Sequence, residues 1–168
     1  IADFYFNNGY VNVKVSEPRV ELLPDKKGLL VQIDIKEGDQ YKVGLLDFKG
    51  DLLEKAEELS KNLKLKGGDV FSRSVLRNDV FSLTDVYADQ GYAFANVTPL
   101  TKINPENRTI DITFDMEKGE KVYFDRITIA GNPKTRDKVL RRELKVAEGD
   151  LYSGTGLKKS KQNLMNLG

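Results

Sequence analysis

Residues 89–97 read DQGYAFANV, and residues 7–15 read NNGYVNVKV, so one Gly-Tyr pattern occurs twice in the chain. An offset of 81 residues extends the match to three further glycine pairs: Gly38 with Gly119, Gly50 with Gly131, and Gly68 with Gly149. Agreement of this kind at one offset indicates an internal repeat. Because the Gly-Tyr pairs lie 82 residues apart, the first copy has one additional residue before Pro18, which predicts a β-bulge.

The repeat predicts three domains, of which only the middle one is complete. Residues 1–40 would be the C-terminal part of one copy, 41–121 a whole copy, and 122–168 the N-terminal part of a further copy. The chain begins inside an apolar pattern without Met, so we expect a segment of a longer protein. Each incomplete copy would leave a core face uncovered. We expect these faces to be completed by parent sequence or by a neighbouring chain.

The middle copy begins with a predicted strand and two predicted helices. YKVGLLDFKG (41–50) is rich in β-forming residues, and DLLEKAEELSKNLKL (51–65) has apolar residues at helical spacing, ended by KGGD. The segment 72–91 predicts a second helix with Ser72 or Ser74 as the N-cap and Gly91 at its end. Its apolar stripe is Leu76, Val80, Leu83 and Tyr87.

Two strands complete the copy, AFANVTPLT (93–101) and RTIDITFDME (108–117), with a hairpin turn at NPEN (104–107). The hairpin is antiparallel, whereas the first strand joins the last by a right-handed crossover. Pro99 cannot donate to a central ladder, so the second strand should be an edge. The predicted fold class is α+β: tandem β-α-α-β-β repeats, each a three-stranded mixed sheet covered on one face by two helices.

Composition argues against an enzyme. The chain has no Cys and no His, which excludes a disulfide framework, a thiol nucleophile and the commonest general base. The glycines form no nucleotide-binding pattern and are interpreted as turns. We therefore predict no catalytic residues, no metal site and no cofactor. The net charge of +1 gives no strong attraction to nucleic acid.

Three motifs in register carry a family resemblance: EGDQYKVG (37–44), GYAFANVTP (91–99) and GNPKTRDKVLRREL (131–144). They resemble the POTRA (polypeptide-transport-associated) domains of the BamA family of outer-membrane protein assembly factors. VLRREL (139–144) is most similar to the repeat next to the membrane barrel, which would make 41–121 the penultimate repeat. FKGD (48–51) departs from the pattern because it lacks the Asn of AGNP.

The resemblance implies a location on the periplasmic face of the bacterial outer membrane and a role as an interaction scaffold. Its implied partners are unfolded outer-membrane proteins, accessory assembly lipoproteins and the protein's own β-barrel, C-terminal to this segment. The closest alternative is a POTRA segment of a two-partner secretion transporter or of a related barrel assembly factor. Two more distant possibilities are an enzyme using an Asp/Lys or Ser/Lys pair and a basic nucleic-acid module.

The first candidate site is the edge strand 94–101. An exposed edge offers unpaired backbone groups to any extended segment, although Pro99 is also typical of an edge protected against aggregation. About four to five backbone hydrogen bonds of about 1 kcal/mol each barely exceed an association cost of at least about 4 kcal/mol, so binding would be weak. The predicted client-binding residues are Phe94, Ala95, Asn96, Val97 and Thr98.

The second candidate site is the basic stretch 131–145, which has a local net charge of +4. Its cations are Lys134, Arg136, Lys138, Arg141, Arg142 and Lys145. The simpler interpretation is the solvated face of an amphipathic helix. Nucleic-acid binding is disfavoured because no aromatic residues lie among these charges. The family resemblance implies a lipoprotein contact at Arg141, Arg142 and Glu148.

Overall fold

A computed structural model of the chain describes residues 1–132 and 135–167. The described chain contains both helices and strands. They are α1 (Ala2–Asn7), β1 (Lys14–Val15), β2 (Arg19–Leu22), β3 (Leu29–Gln32), β4 (Ile35–Lys36), β5 (Lys42–Gly50), α2 (Ala56–Lys61), α3 (Arg73–Ala88), β6 (Asn96–Asn104), β7 (Thr109–Glu117), α4 (Asp137–Glu143) and α5 (Gly154–Met165). Among these described helices, none is both long and apolar enough to cross a membrane.

Residue contacts divide the chain into two compact units. One comprises 1–47, 64–79 and 100–113, and the other comprises 48–63, 80–99 and the chain from Phe114 onward. The boundaries of these units do not coincide with the boundaries of the copies predicted from the sequence. The domain boundaries after residues 40 and 121 stay a prediction.

The three-stranded sheet has the order β5-β7-β6, so the predicted strand order is confirmed. The central strand β7 alternates strictly between buried and half-exposed residues, as its sequence pattern requires. Its buried residues are Ile110, Ile112, Phe114 and Met116. The turn before it lies at 105–108, where Arg108 takes a left-handed conformation with φ of 51°.

The helix α3 begins directly after Ser72 and ends before Gly91, as predicted. Gly91 has φ of +96°, a conformation that glycine adopts without strain. The buried face differs from the predicted stripe at one position, because Val80 is half-exposed and Asp79 is fully buried instead. The Asp79 carboxylate is accommodated there because it accepts backbone hydrogen bonds from Lys64 and Leu65.

The helix α2 is shorter than the predicted helix over 51–65. Leu52 lies before it, in a turn where its N–H donates to the Gly50 carbonyl. At the other end, the N–H groups of Lys64 and Leu65 donate to Asp79 rather than to preceding helical carbonyls. The early end therefore results from a tertiary contact.

The N-terminal hairpin contains the predicted bulge. The register passes from Val15 opposite Ile35 to Arg19 opposite Gln32, so residues 16–18 lie opposite residues 33–34. The Ser16 N–H donates to the Asp34 carbonyl (2.9 Å), and the Asp34 N–H donates to the Ser16 hydroxyl (2.9 Å). The additional residue of the first copy is thus absorbed locally, and the pairing continues on both sides.

The last copy repeats the hydrogen bonds of the middle copy at the same offset. The Val43 N–H donates to the Asp69 carbonyl (2.8 Å), and the Phe124 N–H donates to the Asp150 carbonyl (2.9 Å). The segment of the last copy that corresponds to β5 forms one bridge, Tyr123 with Leu151. The reason is that 122–167 contains no counterpart of β7, the neighbour that completes the ladder of β5.

Candidate interaction site

The predicted edge strand is the outer strand β6 of the three-stranded sheet. Asn96, Val97 and Thr98 lie in β6, whereas Phe94 and Ala95 precede it. The Ala95 N–H donates to the Tyr92 carbonyl (3.1 Å), which places it in a turn rather than in the strand. The predicted start of the strand is therefore too early, and Phe94 is an exposed side chain beside the edge (79% exposed).

The direction of the edge groups of β6 follows from Pro99. Proline has no N–H and lies on an edge strand with its nitrogen facing away from the ladder. Alternate residues of a strand share this direction. The N–H groups of Val97, Thr101 and Ile103 therefore face outward, and the Val97 side chain (5% exposed) anchors the strand to the core.

The end of β6 is fixed by Asp111, a residue of the central strand β7. Asp111 Oδ2 accepts from Asn104 Nδ2 (2.7 Å), and Oδ1 accepts from the Leu45 N–H (2.8 Å). The hydrogen bonds from Leu45 and then Asn104 hold the pKa of Asp111 below its usual value. A Cβ atom on Gly44 would collide with Asp111 Oδ1, so a larger residue at this position would displace the Asp111 carboxylate. The sequence holds no local signal for this contact, because Leu45 and Asp111 lie 66 residues apart.

The second candidate site brings Arg141 and Glu148 together around one residue of the preceding segment. Arg141 Nη2 donates to the Ile127 carbonyl (2.9 Å), and Glu148 Oε1 accepts from the Ile127 N–H (2.9 Å). Arg141 Nη1 lies 3.5 Å from Glu148 Oε1, and its Nε lies 2.7 Å from Asp137 Oδ2. The hydrogen bond and charge of Asp137 raise the pKa of Arg141. Arg141 and Glu148 thus hold the backbone of Ile127 in place.

Arg142, the third predicted residue, differs from Arg141. It lies exposed in the last turn of α4. Within 1–132 and 135–167 it has no ion pair or side-chain hydrogen bond, so its guanidinium is available to a partner. Lys134, also part of the predicted basic stretch, lies outside the described residues.

Two apolar surfaces match the uncovered faces that sequence analysis expects. On the N-terminal hairpin the paired, exposed side chains are Val20 with Val31 and Leu22 with Leu29. In the last copy there is a groove of about 790 Å³, with apolar walls that include Leu144, Val146, Leu157 and Leu164. What completes these two faces stays a prediction.

The described part of the chain contains no group of three or more His, Cys, Asp or Glu residues that could hold a metal ion. The arrangement provides backbone donors along β6 and charged groups on α4. Both suit non-covalent contact with another polypeptide.

Comparison with known proteins identifies the repeat. The POTRA family model, described as a surface antigen variable number repeat, matches residues 41–119 and 122–168. The chain belongs to the POTRA family. This POTRA chain is 39% identical, over 98% of its length, to the outer membrane protein assembly factor BamA of Nitratidesulfovibrio vulgaris. It is 32% identical, over 100% of its length, to BamA of Neisseria meningitidis serogroup B. It spans 21% of the length of each of these relatives.

Solved structures agree with the POTRA assignment. The crystal structure of Haemophilus influenzae BamA POTRA3-5 matches with a TM-score of 0.83 and 28% identity, covering 99% of this chain and 66% of that one. BamA of Haemophilus ducreyi lacking POTRA domains 1-3 matches with a TM-score of 0.65 and 29% identity, covering 76% of this chain and 24% of that one. The predicted resemblance and the predicted fold class are both confirmed.

Proposed function

We propose that this chain is a POTRA scaffold of an outer-membrane β-barrel assembly factor, located on the periplasmic face of the outer membrane. Its similarity to the BamA relatives over the whole chain supports this role. The scaffold works by binding rather than by catalysis. It receives unfolded outer-membrane proteins and precedes its own membrane β-barrel.

Clients bind by adding an extended strand to β6. The observation that carries this proposal is the position of β6 at the edge of the sheet, with Pro99 orienting the N–H groups of Val97, Thr101 and Ile103 outward. Backbone groups recognise any extended segment, so the register is loose and sequence preference is small. At about 1 kcal/mol for each hydrogen bond, the affinity is weak and suits transfer of a client to the next site.

Replacing Thr101 with Pro tests strand addition. Thr101 is exposed, so the change removes one outward donor and adds a ring on the outer edge without touching the core. The probe is an unstructured peptide with the alternating apolar and polar pattern of a membrane strand. We expect Thr101→Pro to weaken binding at least about tenfold, because one lost hydrogen bond is compounded by steric clash, whereas Thr101→Ala keeps the wild-type affinity.

The outcome is measured by titration, and circular dichroism verifies that both variants are folded. Equal affinity for a folded Thr101→Pro variant would contradict strand addition at β6. Ala95→Pro is not an informative variant, since Ala95 lies in the turn before the strand.

Accessory lipoproteins dock at the end of α4, with Arg142 as the contacting cation. The support is that Arg142 is exposed and unpaired among the described residues, while Arg141 and Glu148 hold the neighbouring segment at Ile127. Arg142→Glu should abolish capture of an acidic accessory subunit and leave thermal unfolding unchanged. Lys138→Glu, on the same helix, is the matched control. Loss of capture by both variants alike would indicate a diffuse charge effect rather than a specific contact.

A further inference from the structure

Two hydrogen bonds from the segment around Gly9 hold the junction between the first and second copies, and the Arg73 guanidinium of the second copy also lies over the Phe6 ring (5.3 Å). The Tyr41 N–H donates to the Gly9 carbonyl (2.8 Å). The Ser74 N–H, in the first turn of α3, donates to Asn7 Oδ1 (2.9 Å). A Cβ atom on Gly9 would lie 2.7 Å from the Tyr41 carbonyl oxygen, so the backbones approach too closely for any side chain.

The junction between the second and third copies repeats both contacts at equivalent positions. The Val122 N–H donates to the Gly91 carbonyl (2.9 Å). The Thr155 N–H, in the first turn of α5, donates to Asp89 Oδ1 (2.8 Å). A Cβ atom on Gly91 would lie 2.5 Å from the Leu151 side chain, so this approach is also close. This pair of hydrogen bonds is therefore a feature of the repeat.

The division of the chain into two compact units agrees with tightly packed junctions between the copies. Each of the two compact units contains one complete junction: Asn7, Gly9, Tyr41 and Ser74 in one, and Asp89, Gly91, Val122 and Thr155 in the other. Contact density is thus not lowest where one copy passes into the next. A flexible linker would give the opposite division.

The two junctions differ in charge. Asp89 accepts three hydrogen bonds, from the Thr155 N–H (2.8 Å), the Thr155 hydroxyl (2.5 Å) and the Ser153 hydroxyl (3.0 Å). One turn earlier on α3, Asp85 pairs with Lys158 (2.7 Å). In the first junction, the Asn7 side chain makes one hydrogen bond among the described residues, the one that it accepts from the Ser74 N–H.

A carboxylate at this position binds more strongly than an amide. Hydrogen bonds to an ionised acceptor are about twice as strong as those between neutral groups, and a negative charge is favoured at the N-terminus of a helix. Burial at the junction opposes ionisation, but the hydrogen bonds from Thr155 and Ser153 outweigh it and hold the pKa of Asp89 below its usual value. The negative charge of Asp89 therefore strengthens the hydrogen bonds of the second junction, whereas the neutral Asn7 side chain gives the first junction no such contribution.

We propose that the residue two positions before each Gly-Tyr pair controls how rigidly one copy is joined to the next. Asp89 makes the second junction stiffer than the first junction, where Asn7 occupies the same position. This side chain accepts a hydrogen bond from the first turn of the second helix of the following copy. Whether the acceptor is a carboxylate or an amide therefore determines how freely that copy moves. Glycine and the backbone contact are shared by both junctions. Stiffness is tuned by this one side chain, independently of any client binding at β6.

Exchanging the two acceptors tests the proposal in the 168-residue chain. The measurement is amide hydrogen exchange at Ser74 and Thr155, read by NMR against the central strand β7 as a reference for global opening. In the wild type we expect the Thr155 amide to exchange about tenfold more slowly than the Ser74 amide, as charge-assisted bonds imply. Asp89→Asn should remove most of that difference, and Asn7→Asp should slow Ser74 exchange.

A second readout separates stiffness from local protection. Residual dipolar couplings report whether residues 41–121 and 122–167 share one alignment, and we expect Asp89→Asn to lower the alignment order of 122–167. Asp3→Asn, an exposed charge change on α1, is the control and should alter neither readout. Equal exchange at Ser74 and Thr155 in the wild type, or an Asp89→Asn variant with unchanged exchange and alignment, would overturn the proposal.

Discussion

Asp79 offers the sharpest test of how each copy is held together. It lies on α3 without exposed surface, and its two carboxylate oxygens accept from the Lys64 N–H (2.8 Å) and the Leu65 N–H (2.9 Å). Asp79→Ala leaves both donors without an acceptor. A buried donor left unsatisfied costs about 1–3 kcal/mol. Because the hydrogen bond from the Lys64 N–H is only partly buried, we expect a loss of about 2–4 kcal/mol in the free energy of unfolding.

The last copy indicates what a partial replacement does. Ser160 occupies the equivalent position and accepts from one N–H, that of Lys145 (2.7 Å). Asp79→Ser should therefore retain part of the interaction and lose about half as much stability as Asp79→Ala.

Urea unfolding followed by circular dichroism measures both effects. Arg77→Ala, on the exposed side of α3, is the control. If Asp79→Ala unfolds within about 0.5 kcal/mol of the wild type, as an ordinary surface change does, the bonds to Lys64 and Leu65 are not what fixes the end of α2.

Three further changes address the core, the sheet and its pH dependence. Phe114→Ala should lose about 3–5 kcal/mol in urea unfolding, since the ring is fully buried. Gly44→Ala should displace Asp111 and expose the Leu45 amide to faster hydrogen exchange, because its Cβ takes the place of the carboxylate. The folded pKa of Asp111 lies below its unfolded value, so its contribution is present above about pH 4 and is lost as pH falls through the folded pKa. Asp111→Asn should flatten that part of the curve of stability against pH.

The sheet was predictable because its signals are local. Pro99 excludes β6 from the centre, and the alternation from Ile110 onward marks β7 as the strand with one fully buried face. The single additional residue before Pro18 likewise predicted a bulge at the correct place. Each of these inferences needs only a short window of sequence and the geometry of a strand.

The polar contacts that sequence reasoning missed depend on partners distant in sequence. Helical spacing predicts Val80 as inward-facing, but Asp79 takes that role because its carboxylate oxygens meet N–H groups from the end of α2. The same contact ends α2 early. Asp89 likewise has no local signal, since its partners lie beyond the next copy's first strand. Polar side chains that bind remote backbone cannot be found from periodicity.

At each candidate site, the sequence predicted one part of the structure and missed another. The position of β6 at the edge followed from one proline, whereas the start of the strand did not, because the Ala95 N–H turns back to Tyr92. The resemblance brought Arg141, Arg142 and Glu148 together. The structure separates them into two residues that hold Ile127 and one exposed cation.

Amide protection along β6 during a peptide titration tests the central claim most directly. If an extended peptide adds to this edge, the outward amides of Val97, Thr101 and Ile103 should gain protection from hydrogen exchange. The inward amides of Thr98 and Leu100, which face the ladder with β7, should stay unchanged. This alternation is the predicted result. Protection that appears on α2 and α3 while the amides of β6 remain unaffected would contradict strand addition as the binding mode of this POTRA chain.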